Sequence, residues 1–190
     1  MKRMEIIPDG TVTAPAGFRA GGIHCGIKKD GKTLDLCLLV SDRECSVAGV
    51  YTQNKVRAAP ILVCEDHARD GQARAVVINS GCANACTGEQ GLADAYEMTR
   101  LVGQQLDIPA SDVMVASTGV IGVHLPMARI RHGVSAITLS SDGGHDAARA
   151  IMTTDTRPKE SCARLSVGGR TVTIGGMAKG SGMIHPNMAT

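Results

Sequence analysis

Ser117-Thr118-Gly119 follows the apolar run Val113 to Ala116 and sets hydroxyls beside a glycine. At the end of a strand, a hydroxyl and the adjacent glycine N–H can jointly donate to a developing oxyanion. The same residues also suit a turn in which Ser and Thr cap the next segment. A second segment, Thr153-Thr154-Asp155-Thr156-Arg157-Pro158-Lys159, gathers hydroxyls with Arg and Lys just after an apolar helix end. Such a cluster suits a substrate bearing carboxylate and amine groups. It fits a polar helix exit as well, with Pro158 preventing continuation. A third segment runs from Lys179-Gly180-Ser181-Gly182 through Met183 to Met188-Ala189-Thr190. Its glycines permit strained backbone, and it ends on a β-hydroxyl residue. With Met183, Ile184 and Met188 it is too apolar to be only an exposed loop.

Gly26-Ile27-Lys28-Lys29-Asp30-Gly31-Lys32-Thr33 satisfies the phosphate-loop pattern letter for letter. That chemistry needs a strand before the loop and a helix after it, so that backbone N–H groups and a helix N-terminus face the phosphates. The residues that follow, Leu34 to Val40, read as strand. Asp30-Gly31 is therefore expected to be a hairpin turn, with Lys28, Lys29 and Lys32 as its solvated flank.

These segments need elements to hold them. Leu34 to Val40 has the pattern of a mostly buried strand, and Val47 to Thr52, Ile61 to Cys64 and Ala75 to Asn79 are further strand candidates. A loop from Ser80 to Gly88 leads into a helix on which Leu92, Ala95, Tyr96, Met98, Leu101, Val102 and Leu106 share a face, closed by Pro109. Val113 to Ala116 is a short strand. A second helix is expected from Pro126 toward Ile137 and a third from Asp146 to Met152. Ala163 to Val167 and Thr171 to Ile174 flank Gly168-Gly169 as a hairpin. The tail from Gly175 to Met183 is too glycine-rich for a helix or a central strand. The expectation is one mixed α/β domain over residues 1–190, part of a longer protein because the chain ends on a segment of functional character.

The composition bounds the function class. Of 190 residues, 43% are hydrophobic, but only Phe18, Tyr51 and Tyr96 are aromatic, so aliphatic side chains and Met must build the core. The 23 glycines favour close backbone approach. A net charge of +2, with both signs mixed along the chain, gives no basic stripe, and there are almost no rings on which bases could stack. Nucleic-acid binding is not supported. The first residues lack a secretory apolar run, and no aliphatic stretch is long enough for a membrane helix. The chain reads as cytoplasmic. Its seven cysteines are an odd, scattered set without a second pair at ligand spacing. They read as small buried thiols, neither a disulfide framework nor a metal site.

Taken with the opening Gly10 to Phe18, these segments resemble the ornithine acetyltransferase (glutamate N-acetyltransferase) family. Val77-Ile78-Asn79-Ser80-Gly81 through Thr87-Gly88, the Ser117 to Gly122 element, Thr153 to Thr156, and Gly176 to Thr190 stand in family order over most of the chain. The resemblance implies a mixed α-β-β-α sandwich of the self-processing, N-terminal-nucleophile kind. It implies a precursor that cuts itself between Ala189 and Thr190, leaving an α chain and a β chain that begins at Thr190. The freed threonine is then its own base, because the new α-amine can take the proton from its Oγ. Oγ attacks the acetyl carbonyl of N-acetylornithine, Thr118 and Gly119 hold the oxyanion, and glutamate takes the acetyl group from the ester. Thr153 and Lys179 contact the amino-acid substrate, with Arg157 a further candidate for its carboxylate. The implied partner is the β chain, in an α2β2 heterotetramer, and no cofactor is required. Acetyl-CoA enters only as a second acetyl donor if the protein is bifunctional.

The chain departs from the family pattern at Cys82, where Asn is common. It also ends on Thr190 where the family begins a new chain, and a threonine still bonded to Ala189 would have an amide in place of its base. Two other classes remain open to the sequence alone. One is an N-terminal-nucleophile amidase or aminopeptidase, which would release the acyl group to water and need no second amino-acid site. The other is a non-catalytic nucleotide-binding module resting on Gly26 to Thr33.

Overall fold

A computed structural model describes residues 4–182. Two sheets form. The larger has the order β2-β3-β4-β5, built from Phe18–Ile23, Leu36–Ser46, Gln72–Cys82 and Val113–Val120. β2, β3 and β4 pair antiparallel, and β5 lies parallel to β4. The smaller sheet has the order β1-β6-β7, built from Glu5–Ile6, Lys159–Val167 and Arg170–Ala178. The layered mixed α/β arrangement expected from the sequence is what the chain adopts.

The middle of the larger sheet is covered on both faces, which is why Leu36 to Val40 of β3 and Ala75 to Ile78 of β4 are continuous apolar runs. Leu36, Leu38 and Val40 of β3, Ala75 and Val77 of β4, and Val113 and Val115 of β5 point to one face. That face is covered by helices α1 (Ala59–His67), α2 (Gly88–Leu106) and α3 (Met127–Ala136), which contribute Val63, Met98, Val102 and Ile130. Residues of the other parity, Cys37 and Leu39 on β3 and Ile78 on β4, meet α4 (Gly144–Ala150) and Met177 of β7. On this side the packing is made by small residues. A Cβ on Gly22 would overlap the backbone carbonyl of Asp146 in α4. The near absence of rings is thus matched by backbones brought close together. No helix among the described residues is long and apolar enough to cross a membrane.

Two strand expectations fail. Ile61 to Cys64 lies in α1, not a strand. Pro60 fits the first turn of that helix, where no N–H is needed, and buried Ala59, Val63 and His67 recur every four residues. Apolar residues lie almost evenly around α1, so no helical period marks it. Val47 to Thr52 forms no named strand either. Val47 N donates to Gly71 O at 2.8 Å at the end of the β3–β4 pair. Beyond it Val50 is exposed and Tyr51 folds back over Gly49. The Gly168-Gly169 hairpin forms as expected, with Val167 opposite Arg170. The edge strand β7 continues to Ala178, farther into the glycine-rich tail than the sequence suggested.

Candidate active site

Both strands of the parallel pair, β4 and the edge strand β5, outlast their apolar runs. β4 continues through Ser80-Gly81-Cys82, and β5 continues through Ser117-Thr118-Gly119 to Val120. The loop expected from Ser80 begins only at Ala83, after which it leads into α2 as expected, and the turn possible at Ser117 is strand. In β4 buried polar pairing accompanies the extension: Ser80 Oγ donates to Ala150 O at 2.5 Å and Asn79 Nδ2 to Cys82 O at 2.9 Å. Ser80 stands opposite Thr118 and Gly81 opposite Gly119, with an irregular register at Cys82. Gly81 has φ +110° and Gly119 φ +134°. A Cβ on Gly119 would overlap the Gly81 carbonyl carbon and stand 2.6 Å from Cys82 N. Only glycine lets the strand ends approach in this way.

Thr118 and Gly119 at this strand end form one wall of a cavity of about 580 Å³. Thr153 and Thr154, just beyond α4, form a second wall, and Lys179, Gly180, Ser181 and Gly182, just beyond β7, a third. Thr118, Gly119, Thr153 and Lys179, drawn from three separate parts of the sequence, therefore meet in one place. Arg157 does not: it lines a different hollow with Pro158 and Gly176. Ala189 and Thr190 lie outside the described residues.

Asp155 joins the second and third walls. Its side chain is 3% exposed, and it accepts from Lys159 Nζ at 2.5 Å, Gly180 N at 2.6 Å and Thr153 N at 3.2 Å. The Lys159 hydrogen bond first, and then the Gly180 N–H, hold its carboxyl well below the usual carboxylate range. Asp155 stands inside the segment singled out from the sequence, but nothing local revealed that its partner would be Gly180. Lys179 Nζ donates to Gly180 O at 2.7 Å.

Lys28 also lines the cavity, which corrects the reading of it as solvated flank. Its Nζ donates to Leu34 O at 2.8 Å and Met152 O at 2.7 Å. Burial pushes its pKa down, against the opposing pull of Asp35, Asp30 and Asp155. Asp30-Gly31 does turn, with Thr33 N and Lys32 N donating to Asp30 Oδ1 at 3.0 and 3.2 Å. The nucleotide-binding alternative is overturned by the same region. No helix follows Gly26 to Thr33, only β3. Moreover the N–H groups of Cys25, Gly26 and Lys28 already donate to the fully buried Asp35 carboxylate, at 2.7, 3.1 and 2.9 Å. The chain's own carboxylate fills the cradle that a phosphate would need.

All seven cysteines are free thiols. Cys37, Cys82 and Cys162 are buried as expected, but Cys86 is exposed and the rest are half-buried. Cys82 Sγ donates to Val123 O at 3.0 Å, and burial raises its pKa. A raised pKa disfavours the thiolate that a nucleophile would require.

Comparison with known proteins agrees with the resemblance read from the motifs. The model of the ArgJ family matches residues 19–190. The arginine biosynthesis bifunctional protein ArgJ of Symbiobacterium thermophilum is 58% identical over 184 residues, 95% of this chain and 46% of that protein. The protein of the same name from Dehalococcoides mccartyi is 52% identical over 188 residues, 98% of this chain and 46% of its own length. The chain thus spans about half the length of the curated relatives it matches. The crystal structure of arginine biosynthesis bifunctional protein ArgJ from Bacillus halodurans superposes with a TM-score of 0.95 at 46% identity, covering all of both chains. That of Mycobacterium tuberculosis ornithine acetyltransferase complexed with ornithine gives 0.92 at 42% identity, covering 98% of this chain and all of the other. Family motifs that coverage of this extent places in register, on a shared fold, settle the assignment: this chain belongs to the ArgJ family.

Proposed function

We propose that this chain is the N-terminal, α portion of an acetyltransferase that moves the acetyl group of N-acetylornithine to glutamate in arginine biosynthesis. The observation that carries this is the meeting of Thr118, Gly119, Thr153 and Lys179 in one cavity of a chain of this family. The ornithine complex of the M. tuberculosis relative supports the substrate class.

In this reading the precursor cuts itself between Ala189 and Thr190, and the α-amine so freed becomes the base. It takes the proton of Thr190 Oγ as the oxygen attacks the acetyl carbonyl. Thr118 and Gly119 donate to the oxygen that becomes negative, and Thr153 and Lys179 hold the amino-acid part. The C–N bond breaks, the proton passes to the leaving amine, and ornithine departs from a threonyl acetyl ester. The amine of glutamate then attacks the ester and regenerates the hydroxyl. Residues 1–190 serve as one domain completed by a β chain, in an α2β2 assembly in the cytoplasm, without a cofactor. The relatives are named bifunctional, and the second function proposed for this site is acetylation of glutamate from acetyl-CoA.

Thr190 is tested in the full-length precursor. Thr190→Ala should leave a single uncut polypeptide without acetyl transfer. Wild-type enzyme given N-acetylornithine but no glutamate should carry an acetyl group on the peptide that begins at Thr190. Efficient cleavage of the Ala variant, or an adduct on Cys82, would overturn the assignment.

A further inference from the structure

Setting nucleotide binding aside leaves the Gly26 to Thr33 segment without a role, yet its Lys28 reaches the cavity. An ammonium has three N–H donors. Two of them engage Leu34 O and Met152 O, which fix the group between the β2–β3 connection and the turn after α4. Those acceptors are neutral, so they orient the charge without cancelling it. Among the described residues Lys28 forms no ion pair, and Asp35, Asp30 and Asp155 act on its ammonium through space only. Its stem runs close to Gly81. A Cβ on Gly81 would meet Lys28 Cγ at 3.3 Å, and Gly81 is the partner of Gly119 in the strand pair. A half-buried ammonium, held by two neutral carbonyls and in direct contact with no carboxylate among the described residues, has lost hydration that an anionic ligand would replace.

We propose that Lys28 is a substrate-binding residue of this cavity, its ammonium taking a carboxylate of the amino-acid substrate alongside Lys179. The proposal rests on the amino-acid acetyltransferase reading above. Two ammonium groups and the hydroxyls of Thr118, Thr153 and Thr154 make a lining rich in donors. No carboxylate is among the lining residues, and Asp155, beside Thr153 and Thr154, is already engaged by Lys159, Gly180 and Thr153. The cavity therefore favours the anionic end of an amino acid over its amines.

The test uses the full-length, self-processed protein, titrated with ornithine, with glutamate and with butane-1,4-diamine, which is ornithine without its carboxylate. Lys28→Gln keeps a donor for the two carbonyls but removes the charge, and Lys28→Arg restores the charge. The Gln variant should bind both amino acids about ten- to a hundredfold more weakly, the scale of one charged hydrogen bond. It should bind the diamine no more weakly than wild type, and the Arg variant should recover most of the amino-acid affinity. On the wild type itself, ornithine but not the diamine should shield Lys28 from amine acylation, read by peptide mass spectrometry. Equal losses for ornithine and the diamine, or no loss and no shielding, would overturn the assignment. Wild-type protein that bound neither amino acid would instead sink the proposed function and this inference with it.

Discussion

Asp155 Oδ1 accepts a hydrogen bond from Gly180 N at 2.6 Å, tying the turn after α4 to the segment that leaves β7. The same oxygen takes Lys159 Nζ at 2.5 Å, so one carboxylate sets the spacing between Thr153 and Lys179. Thr153 and Thr154 on one wall, and Ser181 and Gly182 on the other, are exposed, so burial does little to hold them in place. The geometry of the two walls depends on this charge.

Asp155→Asn should therefore show a defect that depends on pH. The folded pKa of Asp155 is depressed, so its contribution to stability is complete above the unfolded value, ~3.9. That contribution declines below ~3.9 as the unfolded chain takes up the proton first, and is gone below the folded pKa. In the full-length protein, wild type should lose stability as pH falls from 5 toward 3, and the Asn variant should show a shallower acid limb. At neutral pH the variant should be less stable by about 1–3 kcal/mol, the scale of a buried charge-assisted bond, in urea titration. Acid limbs of equal slope would remove Asp155 from this role.

Gly119 permits a sharper comparison. Gly119→Ala places a Cβ against the Gly81 carbonyl carbon at φ +134°, where backbone must move to admit it. Gly122→Ala also has positive φ, +77°, but nothing lies within 4 Å of its Cβ. The second substitution should cost about 1–2 kcal/mol of conformational strain alone. The first should cost more, about 3 kcal/mol or above, and should splay the strand ends that carry Thr118. Matched thermal unfolding of both variants reads the difference, and equal losses would mean that the strand ends are not closely locked.

The sequence made much of this legible, and it did so where the signal is local. The α2 face, the Gly168-Gly169 hairpin and the strand character of Leu36 to Val40 each follow from period or turn chemistry within a few residues. The residues Thr118, Gly119, Thr153 and Lys179 were found through order along the chain, and the fold brings them to one cavity. What escaped is long-range. Lys28 looked solvated because its acceptors, Leu34 O and Met152 O, are backbone atoms, one of them 124 residues away. Asp155 showed no sign of Gly180. Helix α1 reads locally as strand because Ile61-Leu62-Val63-Cys64 is a continuous apolar run, and its packing on β5 and α2 decides what local preference leaves undecided.

Thr118 and its neighbour Ser117 separate the oxyanion role from the strand itself. Successive residues of β5 face opposite ways. Thr118 lines the cavity, on the side where Ser80 opposite it reaches Ala150 O. Ser117 is not among the lining residues, and its buried Oγ has no partner among the described residues. If Thr118 donates to charge that exists only in the transition state, Thr118→Ala should lower kcat for acetyl transfer about a hundredfold, with little change in KM. Thr118→Ser, which keeps the donor, should recover most of that rate. Ser117→Ala removes a hydroxyl from the same strand but from the other face, and should leave kcat within about twofold, since no bond is lost. The measurement is steady-state acetyl transfer from N-acetylornithine to glutamate by the processed enzyme. A Thr118→Ala enzyme that raised KM at unchanged kcat would make Thr118 a ground-state contact. Equal losses at Ser117 and Thr118 would assign both hydroxyls to the integrity of β5.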